Sequence, residues 1–212
     1  WKIVIANLMR WGTLATGVVF LTGCSGNWGW YVISPATEQG IINIKFLLGG
    51  LKFTILLSVT AIVVAIVLGL LIALPGISKN KFSKGINWTY VELIRAIPLL
   101  VMILWVYYGL PQVAGISIGV FGAGVLALAI SDSAFQAEIF RAGIQSIDRG
   151  QIEAANALGL TYFQRMRFIV LPQAIRRILP PLGNQLIYML KMSSLISVIG
   201  MQELTRRANE LV

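Results

Sequence analysis

Long apolar runs separated by short charged stretches dominate this chain of 212 residues. Phe53 to Ser78 and Ala96 to Ser131 each lack any charged residue, and a helix needs roughly 20 apolar residues to cross a bilayer. Five hydrophobic segments stand out, at about 11–24, 51–75, 91–110, 117–135 and 178–199. None alternates strictly, as a strand of a membrane barrel would. The third and fourth are split at Gly109-Leu110-Pro111-Gln112, a turn signal. Pro98 is expected to kink the third. Pro180-Pro181 is placed in the first turn of the fifth, where proline is tolerated. The pattern predicts an all-α, polytopic membrane bundle.

Charge placement gives this bundle an orientation, because lysine and arginine collect in cytoplasmic loops. Lys79, Lys81 and Lys84 follow the second segment with no acid among them. Arg141, Arg149, Arg165, Arg167, Arg176 and Arg177 fall within 132–177, whereas 109–117 carries no charge. The first two regions read as cytoplasmic and the third as external. Lys2 and Arg10 put the N-terminus inside, and the spans then alternate without conflict. Asp132 and Glu138 are expected to close the fourth span at its cytoplasmic mouth.

Composition agrees with this reading. The chain is 57% hydrophobic and 12% charged, against about 25% charge in a soluble domain. Its net charge of +9 is explained by the loops, and no basic-aromatic stripe points to nucleic acid. With one cysteine and no histidine, an intramolecular disulfide and histidine chemistry are excluded. No metal site and no catalytic residue is expected. No G-x-x-x-x-G-K-[ST] occurs, and Gly49-Gly50-Leu51-Lys52 lacks its spacing. ATP chemistry would therefore belong to another subunit.

The polar stretch between the fourth and fifth segments has its own grammar. Gln151 to Leu158 reads as a short helix with Glu153 in its first turn, where a carboxylate complements the helix dipole. Ala154, Ala155 and Ala157 are small enough to let a partner surface approach. Gly159 is suited to end the helix in the left-handed region. Thr161 is placed to cap a second short helix over 162–170, which Pro172 is expected to stop. Connections between helices are usually short, so a structured stretch of this length points to docking rather than to a bare link.

These residues resemble the EAA loop of permease subunits of ATP-binding-cassette importers: Glu153-Ala154-Ala155, Gly159, Ile169 and Leu171-Pro172. The flanking runs Tyr90 to Leu100, Glu138 to Ile147, Leu179 to Gln185, Leu190 to Leu195 and Val198-Ile199-Gly200 narrow the resemblance. Together they look like the polar amino-acid permeases of the glutamine/histidine/arginine class, over roughly residues 47–210. The resemblance implies a type I importer permease fold with residues 41–212 as the transmembrane domain and a cytoplasmic coupling loop at about 137–177. Residues 1–40 would carry a first hydrophobic helix. It implies an ATP-binding subunit docked on Glu153, Ala154, Ala155, Leu158 and Gly159. It also implies a second permease subunit, identical or not, an extracytoplasmic substrate-binding protein, and a bacterial-type cytoplasmic (inner) membrane. The chain itself would hold no cofactor, with ATP and magnesium bound by the partner subunit, and would be no enzyme. The family usually adds a transmembrane helix after Glu203-Leu204-Thr205, so truncation is expected, as it is from a chain that starts with Trp.

Lys191 falls inside the fifth apolar segment, and a lysine at the bilayer centre costs roughly 2.5–3.5 kcal/mol on insertion scales. Helical spacing groups it with Asn184, Gln185, Tyr188 and Ser194 or Leu195. Gln185, Tyr188, Lys191 and Ser194 are therefore candidate pathway residues for an amino-acid zwitterion; polar contacts at a helix interface are the alternative. Glu92 and Arg95 read either as a local i,i+3 ion pair or as a latch against the loop. Leu21-Thr22-Gly23-Cys24 has the form of a lipobox, but a chain with several later spans needs no lipid anchor, and an ordinary first helix is expected. Alternatives to the amino-acid importer are a secondary transporter, an importer permease for another small polar solute, and a membrane scaffold. Intramembrane acids and inverted repeats, the marks of many secondary transporters, are not evident in the sequence.

Overall fold

The computed structural model describes residues 29–78 and 80–211. The first hydrophobic segment and the lipobox lie outside them. The chain divides after Ile44 into two compact units. In the first, the short turn Trp30–Ile33 precedes a helix whose Asn43 Nδ2 donates to Val32 O at 2.7 Å.

Every regular element among the described residues is helical. We label them α1 (Glu38–Ile77), α2 (Lys81–Ala96), α3 (Leu99–Ala114), α4 (Val120–Gln145), α5 (Arg149–Ala157), α6 (Tyr162–Ile199) and α7 (Leu204–Asn209). Three of them, α1, α4 and α6, are long and apolar enough to cross a membrane, and the bent pair α2–α3 makes a fourth. These four match the four later segments expected from the sequence, with longer helices. Pro98 does more than kink the third segment: α2 and α3 meet at 93°.

Two other prolines fail to end their helices. A π turn at Trp105–Gly109 precedes Pro111, and another at Met166–Val170 precedes Pro172. Each is followed by the same tripeptide, Leu-Pro-Gln. The extra residue lets Leu110 and Leu171 bond back to Trp105 O and Met166 O, which moves the chain out of the clash that a proline makes with the carbonyl four residues earlier. The chain therefore stays helical through 109–112, and α6 runs past Pro172. Pro180 and Pro181 also lie inside α6 rather than in its first turn. The carbonyls they leave without a donor belong to Arg176 and Arg177, both exposed.

In the unit Lys45–Leu211, α4 is central and packs on α2, α3 and α6. One apolar cluster joins Leu57, Ala61, Ile103, Leu128, Met189 and Ile196, and a second joins Ala73, Val91, Phe140, Ile147, Val170 and Ile178. At one end α7 closes on α1. Glu203 caps α7 by accepting from Thr205 N and Arg206 N, and Arg207 Nη1 donates to Phe46 O at 2.7 Å.

Candidate functional site

Between the two apolar clusters lies a polar layer. Along α4 the first cluster uses residues up to Ile130 and the second begins at Ala137. Asp132, Ser133 and Gln136 occupy the interval, all buried. Gln136 Nε2 donates to Asp132 Oδ2 at 2.8 Å, and Gln185 Nε2 from α6 donates to Asp132 Oδ1. Ser133 Oγ shares a 2.7 Å hydrogen bond with Tyr90 OH of α2 and donates to Ile130 O. Gly69 brings α1 to the same level: a Cβ there would stand 2.4 Å from Gln136 Cβ. Four helices thus meet in one polar layer, whose buried carboxylate is held by the amides of Gln136 and Gln185. Buried polar groups in a membrane interior need such partners.

The helix does not end where the fourth hydrophobic segment does: α4 continues past Asp132 to Gln145. Ala134, Ala137 and Phe140 keep burying apolar surface past it. The charges that seemed to end the span stay on the helix: Arg141 Nη2 meets Glu138 Oε2 at 2.6 Å, half-exposed.

The candidate pathway residues do not share one face. Gln185 turns toward Asp132. Tyr188 and Lys191 are exposed on the single chain, and Ser194 is half-buried, with Oγ donating to Lys191 O. At 100° per residue Gln185 and Lys191 stand about 120° apart around α6, which separates them. Lys191 lies in the last α-helical turn, just before the tighter 3-10 segment Ser193–Ile199. Glu92 and Arg95 form no ion pair; the Arg95 guanidinium lies 5.0 Å over the Phe135 ring instead.

Residues 146–161 form the connection between α4 and α6, and α5 is its core. Asp148 is the N-cap and accepts from Gly150 N at 2.6 Å. The helix therefore starts at Arg149, and Glu153 stands beyond the first turn; the charge at the dipole's positive end is Asp148. At the other end Gly159 takes φ +72°. Its N–H reaches Asn156 O while Leu160 N reaches Ala155 O at 3.1 Å, a glycine stop of the Schellman type. Thr161 and Gln164 make a reciprocal capping box that starts α6. Arg165 Nη1 donates to Asn156 Oδ1, and Arg177 Nη1 to Ser146 O.

The helix so fixed presents Glu153, Ala154, Leu158 and Gly159 outward, whereas Ala155 is buried in its own chain. Leu158 is 78% exposed, and Tyr162 and Phe163 beside it are 66% and 72% exposed. α5 is thus a small helix braced by its own caps, with large apolar groups bare on its rim; exposed apolar patches mark protein–protein or membrane contacts.

Comparison with known proteins bears on these features directly. Residues 65–211 match the family described as "Binding-protein-dependent transport system inner membrane component". The probable glutamine ABC transporter permease protein GlnM of Bacillus subtilis is 44% identical over 167 residues, 79% of this chain and 77% of that protein. The arginine transport system permease protein ArtQ of the same organism is 40% identical over 168 residues, again 79% and 77%. Among solved structures, an amino acid ABC transporter crystallised with histidines superposes with a TM-score of 0.75 at 47% identity, covering 81% of this chain and 79% of that one. The inward-facing MetNI methionine transporter shares the fold, with a TM-score of 0.64 at 23% identity over 74% and 76% of the two chains. Helical bundle, loop and relatives agree: the chain belongs to the binding-protein-dependent transport inner membrane components, as a permease of the amino-acid ABC transporter kind.

Proposed function

We infer that this chain is the membrane-spanning subunit of an ATP-driven importer of polar amino acids in a bacterial-type cytoplasmic membrane. It offers alternating access and leaves ATP and magnesium to a separate subunit docked on α5. The observation that carries this reading is α5 itself: a helix closed at both ends by its own caps and exposed along Glu153, Ala154 and Leu158. Movement of a partner against such a helix passes into the bundle through the buried residues Ile147 and Ala155 and through Arg177 on Ser146.

A second permease subunit and an extracytoplasmic binding protein complete the assembly. Tyr188, Lys191 and Ser194 line the substrate pathway where the second permease subunit faces α6. Gln185 serves it from the polar layer through Asp132. A lysine held away from lipid in this way avoids the cost of burying its charge in hydrocarbon.

The test is a pull-down of the tagged protein from native membranes beside a Glu153→Lys variant. The expected result is recovery of a P-loop ATPase with the unaltered chain and its loss with the variant. Recovery of no ATPase from membranes in mild detergent contradicts the reading.

A further inference from the structure

A cavity of about 540 Å³ opens between α2, α4 and the end of α1 at Gly76. Its size falls in the range of small-molecule sites, roughly 300–1,000 Å³. Lys84, Glu92 and Arg95 come from one wall, and Glu138 and Arg141 from the other, with the buried Asn87 at its base. The charges are unequally used. Glu138 and Arg141 neutralise each other at 2.6 Å. Glu92, Arg95 and Lys84 make no ion pair among the described residues, and Arg95 is held in place by the Phe135 ring. What remains without an ion-pair partner is one carboxylate and two cations of one helix, Glu92 and Arg95 side by side and Lys84 more than two turns before them. Residues three apart on a helix have neighbouring side chains, so Glu92 and Arg95 offer opposite charges side by side.

We propose that this cleft binds a polar α-amino acid on the cytoplasmic side, its ammonium group on Glu92 and its carboxylate on Arg95. The second free cation, Lys84, favours a side chain that is neutral or acidic over one that is cationic. A lipid phosphate fits less well, since two carboxylates line the cleft. The inference rests on the importer reading and names the substrate class that meets this surface.

The experiment uses the permease with its ATPase partner, without binding protein, in phosphatidylcholine nanodiscs. Binding of radiolabelled L-glutamine, L-glutamate and L-arginine is measured by equilibrium dialysis. Saturable binding is expected, with arginine at least tenfold weaker than glutamine. Glu92→Gln and Arg95→Gln, both at exposed positions, should each weaken glutamine at least tenfold, and Lys52→Gln should not. Each variant complex is checked for monodispersity and basal ATP hydrolysis, so that a lost fold is not read as a lost site. No saturable binding, or equal binding in both cleft variants, overturns the proposal. So does native mass spectrometry that finds phosphatidylethanolamine retained from native membranes through Glu92 and no amino acid bound. Uptake by proteoliposomes containing the unaltered complex and binding protein separates the two failures. If uptake proceeds while the cleft variants bind normally, the cleft proposal alone falls; if uptake is absent as well, the importer reading falls with it.

Discussion

The α5 connection and the polar layer are both built from hydrogen-bonded polar side chains, yet they are held in opposite ways. Around α5 the contacts are mostly local: Asp148 to Gly150, Thr161 to Gln164, and Asn156 to Arg165 nine positions away, with Arg177 on Ser146 the longer tie to the bundle. In the polar layer the bonds that join helices are distant, 43 positions from Tyr90 to Ser133 and 53 from Asp132 to Gln185. One region is capped mainly by its own residues and presents an exposed outer face; the other exists only when α1, α2, α4 and α6 are together. The difference teaches that the exposed face of α5 can be altered without disturbing the bundle, whereas a change in the layer is felt by every helix that meets there.

The largest expected effect is at the layer's tightest point. Gly69→Leu drives a side chain into Gln136 and the α4 backbone, and overpacking of this kind costs about 3 kcal/mol. Thermal unfolding in detergent, followed by tryptophan fluorescence, should show a large fall in midpoint. An unchanged midpoint would mean that α1 and α4 are not pressed together there.

Asp132→Ala comes next. It leaves the amides of Gln136 and Gln185 without their acceptor, a loss of about 2 kcal/mol for buried donors. Asp132→Asn keeps one acceptor oxygen and should retain more of the stability. Equal midpoints for the Ala variant and the unaltered chain would show that the amides find other partners.

Smaller effects belong to the connection. Gly159→Val puts a β-branched residue at φ +72°, a strain of about 1–2 kcal/mol in the left-handed region. Asp148→Ala removes the N-cap of α5, which costs about 1 kcal/mol. Both should speed amide hydrogen exchange in α5 and leave the unfolding midpoint of the bundle where it was. A midpoint that fell as far as in Asp132→Ala would erase the distinction between the regions.

The same contrast explains what could be read from the residues alone. Asp148, Gly159 and Thr161 act through neighbours, so the glycine stop and the Thr161 cap are visible in the sequence; the helix itself starts two residues before Gln151, at Arg149. Four of the hydrophobic segments correspond to helices or to the bent pair, because length and hydropathy are local properties. The proline positions misled, since a π turn two residues before Pro111 and Pro172 leaves no composition signal. The sequence marks Asp132 only as an acid near the end of the fourth segment; its place in a packed layer, signalled by apolar turns on both sides, is masked by Glu138 and Arg141. That Gln185 turns to Asp132, away from Lys191, depends on α4 and α6 meeting, and helical spacing on α6 alone does not contain it.

The central claim is that docking and passage are carried by separate regions, and the most direct measurement compares them in one assembly. Proteoliposomes holding the permease, its ATPase and its binding protein are assayed for both ATP hydrolysis and amino-acid uptake, with Glu153→Lys beside Gln185→Leu. The account predicts that Glu153→Lys loses substrate-stimulated hydrolysis and uptake together, while Gln185→Leu keeps hydrolysing ATP and loses uptake. Equal loss of both activities in both variants, or uptake that survives Glu153→Lys, would contradict it.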